Sequence, residues 1–247
     1  MKSSPGQLPV NRLLSFLLAL VAGSITWGFI HTQDPFFKVA ERYHIRGLGE
    51  SDERWNAYLE QQSRVDFMNA ALVIGILGGA LGLTFAVCRP TRVSIHWRLL
   101  MGIVFGMLVG VVAGVAGDSI QQHFAGSRQL SVVESAYINA TLFGLLGLGL
   151  GAIAGGMGGF GWAILDRAVA GLIAGAIAGI LYPVVGFVAL DSANIEAFIP
   201  RMTMTRLLWL GMGTGFLGLL IPSSVSENNP TSLETAETKA TKSCIVL

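Results

Sequence analysis

The stretch RLLMGIVFGMLVGVVAGVAGD, residues 98–118, decides the fold of this chain. It carries no charge from Leu99 to Gly117, and a helix of that length crosses about 30 Å of hydrocarbon at about 1.5 Å per residue. Glycine recurs there at every fourth position, namely Gly102, Gly106, Gly110 and Gly114. This period puts the glycines on one helix face, where the backbone of a second helix can approach closely. The stretch therefore predicts a membrane-spanning helix with a glycine packing face.

The whole composition agrees with that prediction. Hydrophobic residues make up 52% of the chain and charged residues 13%, and 32 of its 247 residues are glycine. Soluble domains average about 25% charge and about 7% glycine, so these values indicate a polytopic membrane protein. A net charge of +1 gives no reason to expect a nucleic-acid partner. The two cysteines, Cys88 and Cys244, form neither a disulfide framework nor a zinc motif.

Six apolar runs predict an all-α bundle of six spans, a membrane domain over residues 13–222. We place the spans at about 13–30, 69–87, 99–117, 136–160, 168–190 and 207–221. A second glycine ladder in the fifth span consists of Gly171, Gly175 and Gly179. Residues 1–12 would be a short cytoplasmic segment, residues 31–68 an outer helical loop, and residues 223–247 a disordered cytoplasmic tail.

Both ends of the chain allow another interpretation. The first span resembles a signal peptide, with small residues at Ala22-Gly23-Ser24, but its apolar run continues to Ile30. The last four residues, Cys244-Ile-Val-Leu, match a prenylation box, although six spans need no lipid anchor. The sequence leaves both alternatives open.

An internal repeat lies under the six runs. The even-numbered spans contain GILGGALG from Gly75, GLLGLGLG from Gly144 and GMGTGFLG from Gly211. The odd-numbered spans open at Arg12, Arg98 and Arg167. We interpret these matches as three tandem hairpins, each an odd span followed by an even one, although glycine-rich composition alone could produce them by chance.

Basic residues indicate the orientation. Arg89, Arg92 and Arg98 surround a loop without acidic residues, which favours the cytoplasmic side and so places both termini there. The adjacent Asp166 and Arg167 are expected to form a turn between the fourth and fifth spans.

Three polar residues are candidate solute or proton ligands. Asp118 and Asp191 end the third and fifth spans, each followed by serine, and Asn139 lies just inside the fourth span. Ionisable groups at membrane depth suggest a function by default. An aspartate at the end of a span can instead simply meet water, and we expect this second role.

Catalytic and cofactor motifs are absent from the sequence. Two GxGxxG matches, beginning at Gly156 and Gly213, fall within spans, so they indicate packing rather than a dinucleotide site. The histidines show neither an i,i+4 pair nor an HExxH motif, so we expect no metal. No nucleophile–base pattern occurs, and we expect neither an enzyme nor a cofactor.

The order of a Leu-rich first span, a charged helical loop, NAALxxGxLGxxLGL from Asn69 and an Arg-bounded glycine ladder resembles glycine-rich membrane proteins of planctomycetes and related bacteria. The resemblance covers about residues 12–220 and implies a multi-pass protein of the bacterial inner (plasma) membrane. It implies no activity.

Two functions therefore remain from the sequence. The first is a non-enzymatic packing or assembly component of the membrane, associating with itself or with a membrane partner through glycine faces. The second is a small-solute or ion transporter. We prefer the first, because spans two, three, five and six carry few polar residues near the midplane.

Overall fold

A computed structural model describes residues 7–33, 35–43, 52–88, 94–125, 130–157, 161–190, 199–200 and 202–221. These residues form six α-helices, and no strand occurs among them, which confirms the predicted all-α class. The helices are α1 (Gln7–Gln33), α2 (Asp52–Cys88), α3 (Ile95–Ala125), α4 (Val132–Gly156), α5 (Trp162–Ala189) and α6 (Thr203–Leu220). The predicted tail, residues 223–247, lies outside the described residues.

Five of the helices, α1 to α5, are long and apolar enough to cross a membrane. This agrees with the multi-pass membrane protein that the composition indicates. The sixth helix, α6, has 18 residues and carries Arg206 in its first turn. It is not among the five, so the count of six spans stays a prediction.

The helix boundaries follow from local chemistry at two places. At the start of α4, Ser131 and Glu134 form a capping box, in which the Ser131 hydroxyl accepts from the Glu134 N–H and the Glu134 carboxylate accepts from the Ser131 N–H. Ahead of α5, Gly161 has a φ of 110°, which glycine adopts at little steric cost. The expected turn at Asp166 and Arg167 is therefore wrong, because both residues lie inside α5.

The closest helix pairs are α2 with α3, α4 with α5, and α6 with α1. The sequence repeat grouped the helices differently, as α1 with α2, α3 with α4 and α5 with α6. Those neighbours also touch, but less extensively than α2 with α3 or α4 with α5. The structural unit is thus an even-numbered helix with the odd-numbered helix that follows it. The first described helix, α1, pairs with the last, α6, and this pair completes a ring of the six described helices.

The repeated motif that begins at Gly75, Gly144 and Gly211 makes a similar contact in all three helix pairs at its eighth position. A Cβ atom on Gly82 would meet the carbonyl oxygen of Gly102, and one on Gly151 would meet that of Arg167. A Cβ atom on Gly218 would lie 3.0 Å from the carbonyl oxygen of Ser15. Each motif therefore uses its last glycine for close approach to the backbone of its partner helix.

The glycine ladders lie at the centre of two of these pairs. On α3, Cβ atoms at the ladder positions would meet backbone atoms of α2, and on α5 they would meet backbone atoms of α4. The contacts pair Gly102 with Gly82, Gly106 with Gly78, Gly110 with Ile74, Gly114 with Ala70, Gly171 with Gly147, Gly175 with Phe143, and Gly179 with Asn139. Every predicted packing glycine thus faces a helix of its own chain.

The core lies among the even-numbered helices. The seventh position of each motif is a leucine, and Leu81, Leu150 and Leu217 are all 0% exposed within one hydrophobic cluster. Outward positions carry exposed aliphatic residues instead, such as Leu108 at 55%. The bundle is therefore apolar both inside and outside, as expected for a protein surrounded by lipid.

Candidate functional site

Most of the buried polar side chains gather at one end of the bundle, which we call the outer end after its predicted orientation. The even-numbered helices run away from this end of the bundle and α3 runs toward it. The buried polar residues at this end are Asn69, Asp118, Ser135, Asn139, Thr205 and Arg206. Because polar groups at membrane depth are costly, this end of the bundle is the candidate functional site.

Asp118 is 5% exposed, near the end of α3. Its Oδ2 accepts a 2.7 Å hydrogen bond from Gln122 Nε2, and Gln122 Oε1 accepts a 3.1 Å bond from Ser63 Oγ on α2. Asp66 of α2 interacts with it electrostatically. The expectation that Asp118 simply meets water is wrong, because neighbouring side chains cover the carboxylate. Asp118 is thus a covered carboxylate with a second carboxylate, that of the exposed Asp66, near it, and such a pair could exchange a proton or hold a cation.

Asn139 is 2% exposed and its amide is fully used within the protein. Its Nδ2 donates to the Ser135 carbonyl at 2.9 Å, and its Oδ1 accepts from Trp209 Nε1 at 2.8 Å. The second bond joins α4 to α6. Because both ends of the amide are engaged, Asn139 acts here as a link between helices.

The three predicted ligands do not form one site in the described part of the chain. No hydrogen bond joins Asp118 to Asn139 there, since each is paired within its own surroundings. Asp191 lies outside the described residues.

A second buried amide, Asn69 on α2, was not predicted as a site residue from the sequence. Its Oδ1 accepts from the Phe37 N–H at 2.9 Å, and its Nδ2 donates to the Phe37 carbonyl at 3.0 Å. The amide therefore pairs with the backbone of the outer loop and holds that segment against α2. The signal was present in the sequence, since Asn69 and Asn139 open the matching stretches NAAL and NATL.

Two buried arginines were also missed. Arg167 is 7% exposed, and its Nη1 donates to the Ala154 carbonyl at 3.0 Å, near the end of α4. A cation is favourable there because the carbonyls at the end of a helix lack partners within the helix. At the outer end, Arg206 Nε donates to the Pro200 carbonyl at 2.7 Å. Both arginines lie at the edge of an apolar run, and the sequence at such a position suggests a turn exposed to water.

Two aromatic donors remain without partners. The Tyr182 hydroxyl and the Trp27 Nε1 are buried, and neither forms a hydrogen bond with another described residue. No group of three or more His, Cys, Asp or Glu side chains that could hold a metal ion occurs in the described ranges. The site thus combines linked amides, one covered carboxylate and two unpaired donors.

Comparison with known proteins adds no relative. No protein family, no curated protein and no solved structure matches the chain.

Proposed function

We propose that this chain is a non-enzymatic packing or assembly component of a bacterial inner membrane. In this proposal it crosses the membrane six times with both termini in the cytoplasm. Support for α6 as the sixth crossing comes from its antiparallel register with α1. A Cβ on Gly23 would lie 2.8 Å from Thr214 Oγ1, and one on Gly218 would lie 3.0 Å from the Ser15 carbonyl, so the two helices run alongside each other in opposite directions.

The filled centre of the bundle carries the proposal. Leu81, Leu150 and Leu217, one from each helix pair, are completely buried. Two buried hydroxyls nearby are also engaged, since Thr84 donates to the Ala80 carbonyl and Thr214 to the Leu210 carbonyl. A solute pathway needs polar groups or water near the midplane. Apolar packing at the centre of the bundle therefore supports a rigid membrane component and not a solute pathway.

Contact with a partner would use the outward faces of α3 and α5. The ladder glycines are occupied by α2 and α4, so association through them would require these helix pairs to separate. The outward faces carry exposed aliphatic side chains instead, including Leu108, Val112, Ile173 and Ile180. We therefore place self-association, or contact with another membrane protein, on these aliphatic faces.

The runner-up is a small-solute or ion transporter. Two observations favour it: the covered carboxylate of Asp118 and the unpaired buried hydroxyl of Tyr182. A carboxylate beneath the surface can carry a proton or cation, and an unpaired donor can bind a passing solute.

Flux and cross-linking distinguish the two functions. Protein reconstituted in liposomes should pass protons and monovalent cations no faster than empty liposomes. In a variant without native cysteines, Leu108→Cys should form an oxidative cross-link to a neighbouring protein in native membranes, whereas Ala113→Cys, which is fully buried, should not. Flux well above that of empty liposomes would overturn the proposal in favour of transport. If neither Leu108→Cys nor the corresponding Ile180→Cys variant forms cross-links, the outward faces of α3 and α5 are not the assembly surface.

A further inference from the structure

An open groove runs along the outward face of α6. It has a volume of about 350 Å³, and its lining is almost entirely apolar. The residues that matter here are Phe16 from α1 and Leu207, Gly211, Met212, Gly215 and Leu219 from α6. We call this feature the α6 groove. Its ends at Leu207 and Leu219 are about 18 Å apart, taking about 1.5 Å per helical residue.

The groove exists because one of the three equivalent helix pairs lacks a cover. The first glycine of the repeated motif is Gly75 in α2, Gly144 in α4 and Gly211 in α6. A Cβ on Gly75 would lie 3.0 Å from Val111 Cγ2 of α3, and one on Gly144 would lie 3.3 Å from Leu172 Cδ1 of α5. At Gly211 no other atom of the described residues lies within 4 Å of the Cβ position. Two pairs thus cover this glycine with an aliphatic side chain, and the third leaves it open.

The two covered pairs show which chemistry belongs in the open position. Val111 and Leu172 are branched hydrocarbon side chains from the partner helix. In the third pair, the partner helix α1 instead leaves Val21 and Ile25 largely exposed to the surroundings. An aliphatic group other than those of the described residues would therefore restore at Gly211 the contact that the other two motifs make between helices.

A second helix fits the groove poorly. Close approach of two helix backbones needs both glycines of a GxxxG pair to be accessible. A Cβ on Gly215 would lie 3.2 Å from Cε2 of the Phe16 ring, so this ring covers the second glycine. A thin flexible chain avoids that obstacle, because it can lie over Gly211 and pass along the ring. The groove also offers few polar atoms, so it does not suit a polar ligand.

We propose that the α6 groove binds an acyl chain of a membrane phospholipid. The span of about 18 Å is somewhat longer than one leaflet, which is about half of the 30 Å hydrocarbon thickness. The chain lies against the Gly211 backbone and contacts Met212 and Leu219. It completes the third helix pair in the way that Val111 and Leu172 complete the other two.

The test fills the groove by substitution at Gly211 and compares how far lipid raises the unfolding temperature of the parent and of the variants. The protein is purified in detergent, and its thermal unfolding is measured with palmitoyl-oleoyl phosphatidylglycerol and with dihexanoyl phosphatidylglycerol, which share a headgroup. We expect the long-chain lipid alone to raise the unfolding temperature of the parent. Gly211→Leu should abolish that shift. Gly28→Leu is the matched control, because Gly28 lies on α1 and no other atom in the described ranges is within 4 Å of its Cβ position, and it should retain the shift.

A second measurement keeps the proposal testable should Gly211→Leu fail to fold. A phospholipid carrying a diazirine in its acyl chain, reconstituted with the parent, should label Met212 or Phe216, which also lines the groove, more strongly than the outward residues of α3. An equal shift in the parent and in folded Gly211→Leu would overturn the proposal, as would labelling spread evenly over all outward faces. A change in oligomeric mass on Gly211→Leu, without a change in the lipid response, would assign the groove to a second copy of the chain instead.

Discussion

Trp209 Nε1 donates a 2.8 Å hydrogen bond to Asn139 Oδ1, although the two residues lie 70 positions apart in the sequence. The Trp209 ring also packs on Phe143, with the ring centroids 5.3 Å apart. The bond crosses from the third helix pair to the second, so it connects two of the three repeated units. The units are therefore held together by side-chain contacts as well as by the loops of the chain.

Removing this bond should destabilise the bundle measurably. Trp209→Phe keeps an aromatic ring against Phe143 but leaves Asn139 Oδ1 without its donor. We expect a loss of about 1 kcal/mol, because hydrogen bonds between membrane helices contribute about that much. Thermal unfolding in detergent measures the change. Tyr137→Phe, at an exposed position, should leave the unfolding temperature unchanged, and an equal loss in both variants would contradict the assigned role.

The glycine ladder of α3 gives a larger expected effect. Gly110 faces the Ile74 carbonyl and the Gly75 Cα, so Gly110→Leu must push α3 away from α2. We expect a loss of about 2–4 kcal/mol from overpacking and lost contacts. Leu108→Ala on the exposed face of the same helix should cost little. Equal unfolding temperatures for Gly110→Leu and the parent would show that the ladder does not pack as described.

The sequence predicted much of the helical architecture but not its pairing. Uncharged apolar runs and glycine spacing give helices and packing faces, because both depend only on local periodicity. Pairing is not local: chain order suggests that α1 packs with α2, whereas α1 packs most closely with α6. One clue was available, since the matching motifs of α2, α4 and α6 require equivalent partners, and only α1 remains for α6.

The buried polar residues were harder to predict for a different reason. Arg167 lies at the edge of an apolar run. From the sequence alone, an arginine in a turn cannot be distinguished from a buried arginine that caps a neighbouring helix. Its role depends on the Ala154 carbonyl, 13 positions away, at the end of another helix. Asp118 likewise looked like a solvated helix end, because the sequence does not show that Gln122 and the start of α2 cover it.

The outer loop should loosen when its anchor is removed. Asn69→Ala deletes both bonds to the Phe37 backbone, and the Phe37 amide then exchanges with solvent more readily. A hydrogen bond contributes about 1 kcal/mol, so loss of the bond from the Phe37 N–H alone should raise exchange at Phe37 by about a factor of five. Hydrogen exchange followed by mass spectrometry measures this rate. Asn56→Ala, at an exposed position on the same helix, should not change it.

The proposed orientation can be checked on the native cysteines. Cys88 ends α2 at the side predicted to be cytoplasmic, and the same prediction places Cys244 on that side. A membrane-impermeant maleimide should leave both cysteines unmodified in intact cells and should react after the membranes are permeabilised. Labelling of either cysteine in sealed cells would reverse the topology.

The carboxylates provide the last prediction, which separates a rigid component from a transporter. Asp118→Asn keeps an oxygen that can accept from Gln122 Nε2. It weakens a charge-assisted bond but also removes the cost of covering a charge. These effects oppose each other, so we expect the double variant Asp118→Asn with Asp191→Asn to differ from the parent by less than about 1 kcal/mol. Expression and thermal unfolding should be near those of the parent, and neither protein should pass protons or cations in liposomes. Flux in the parent that disappears in the folded double variant would instead assign Asp118 or Asp191 to a transport pathway.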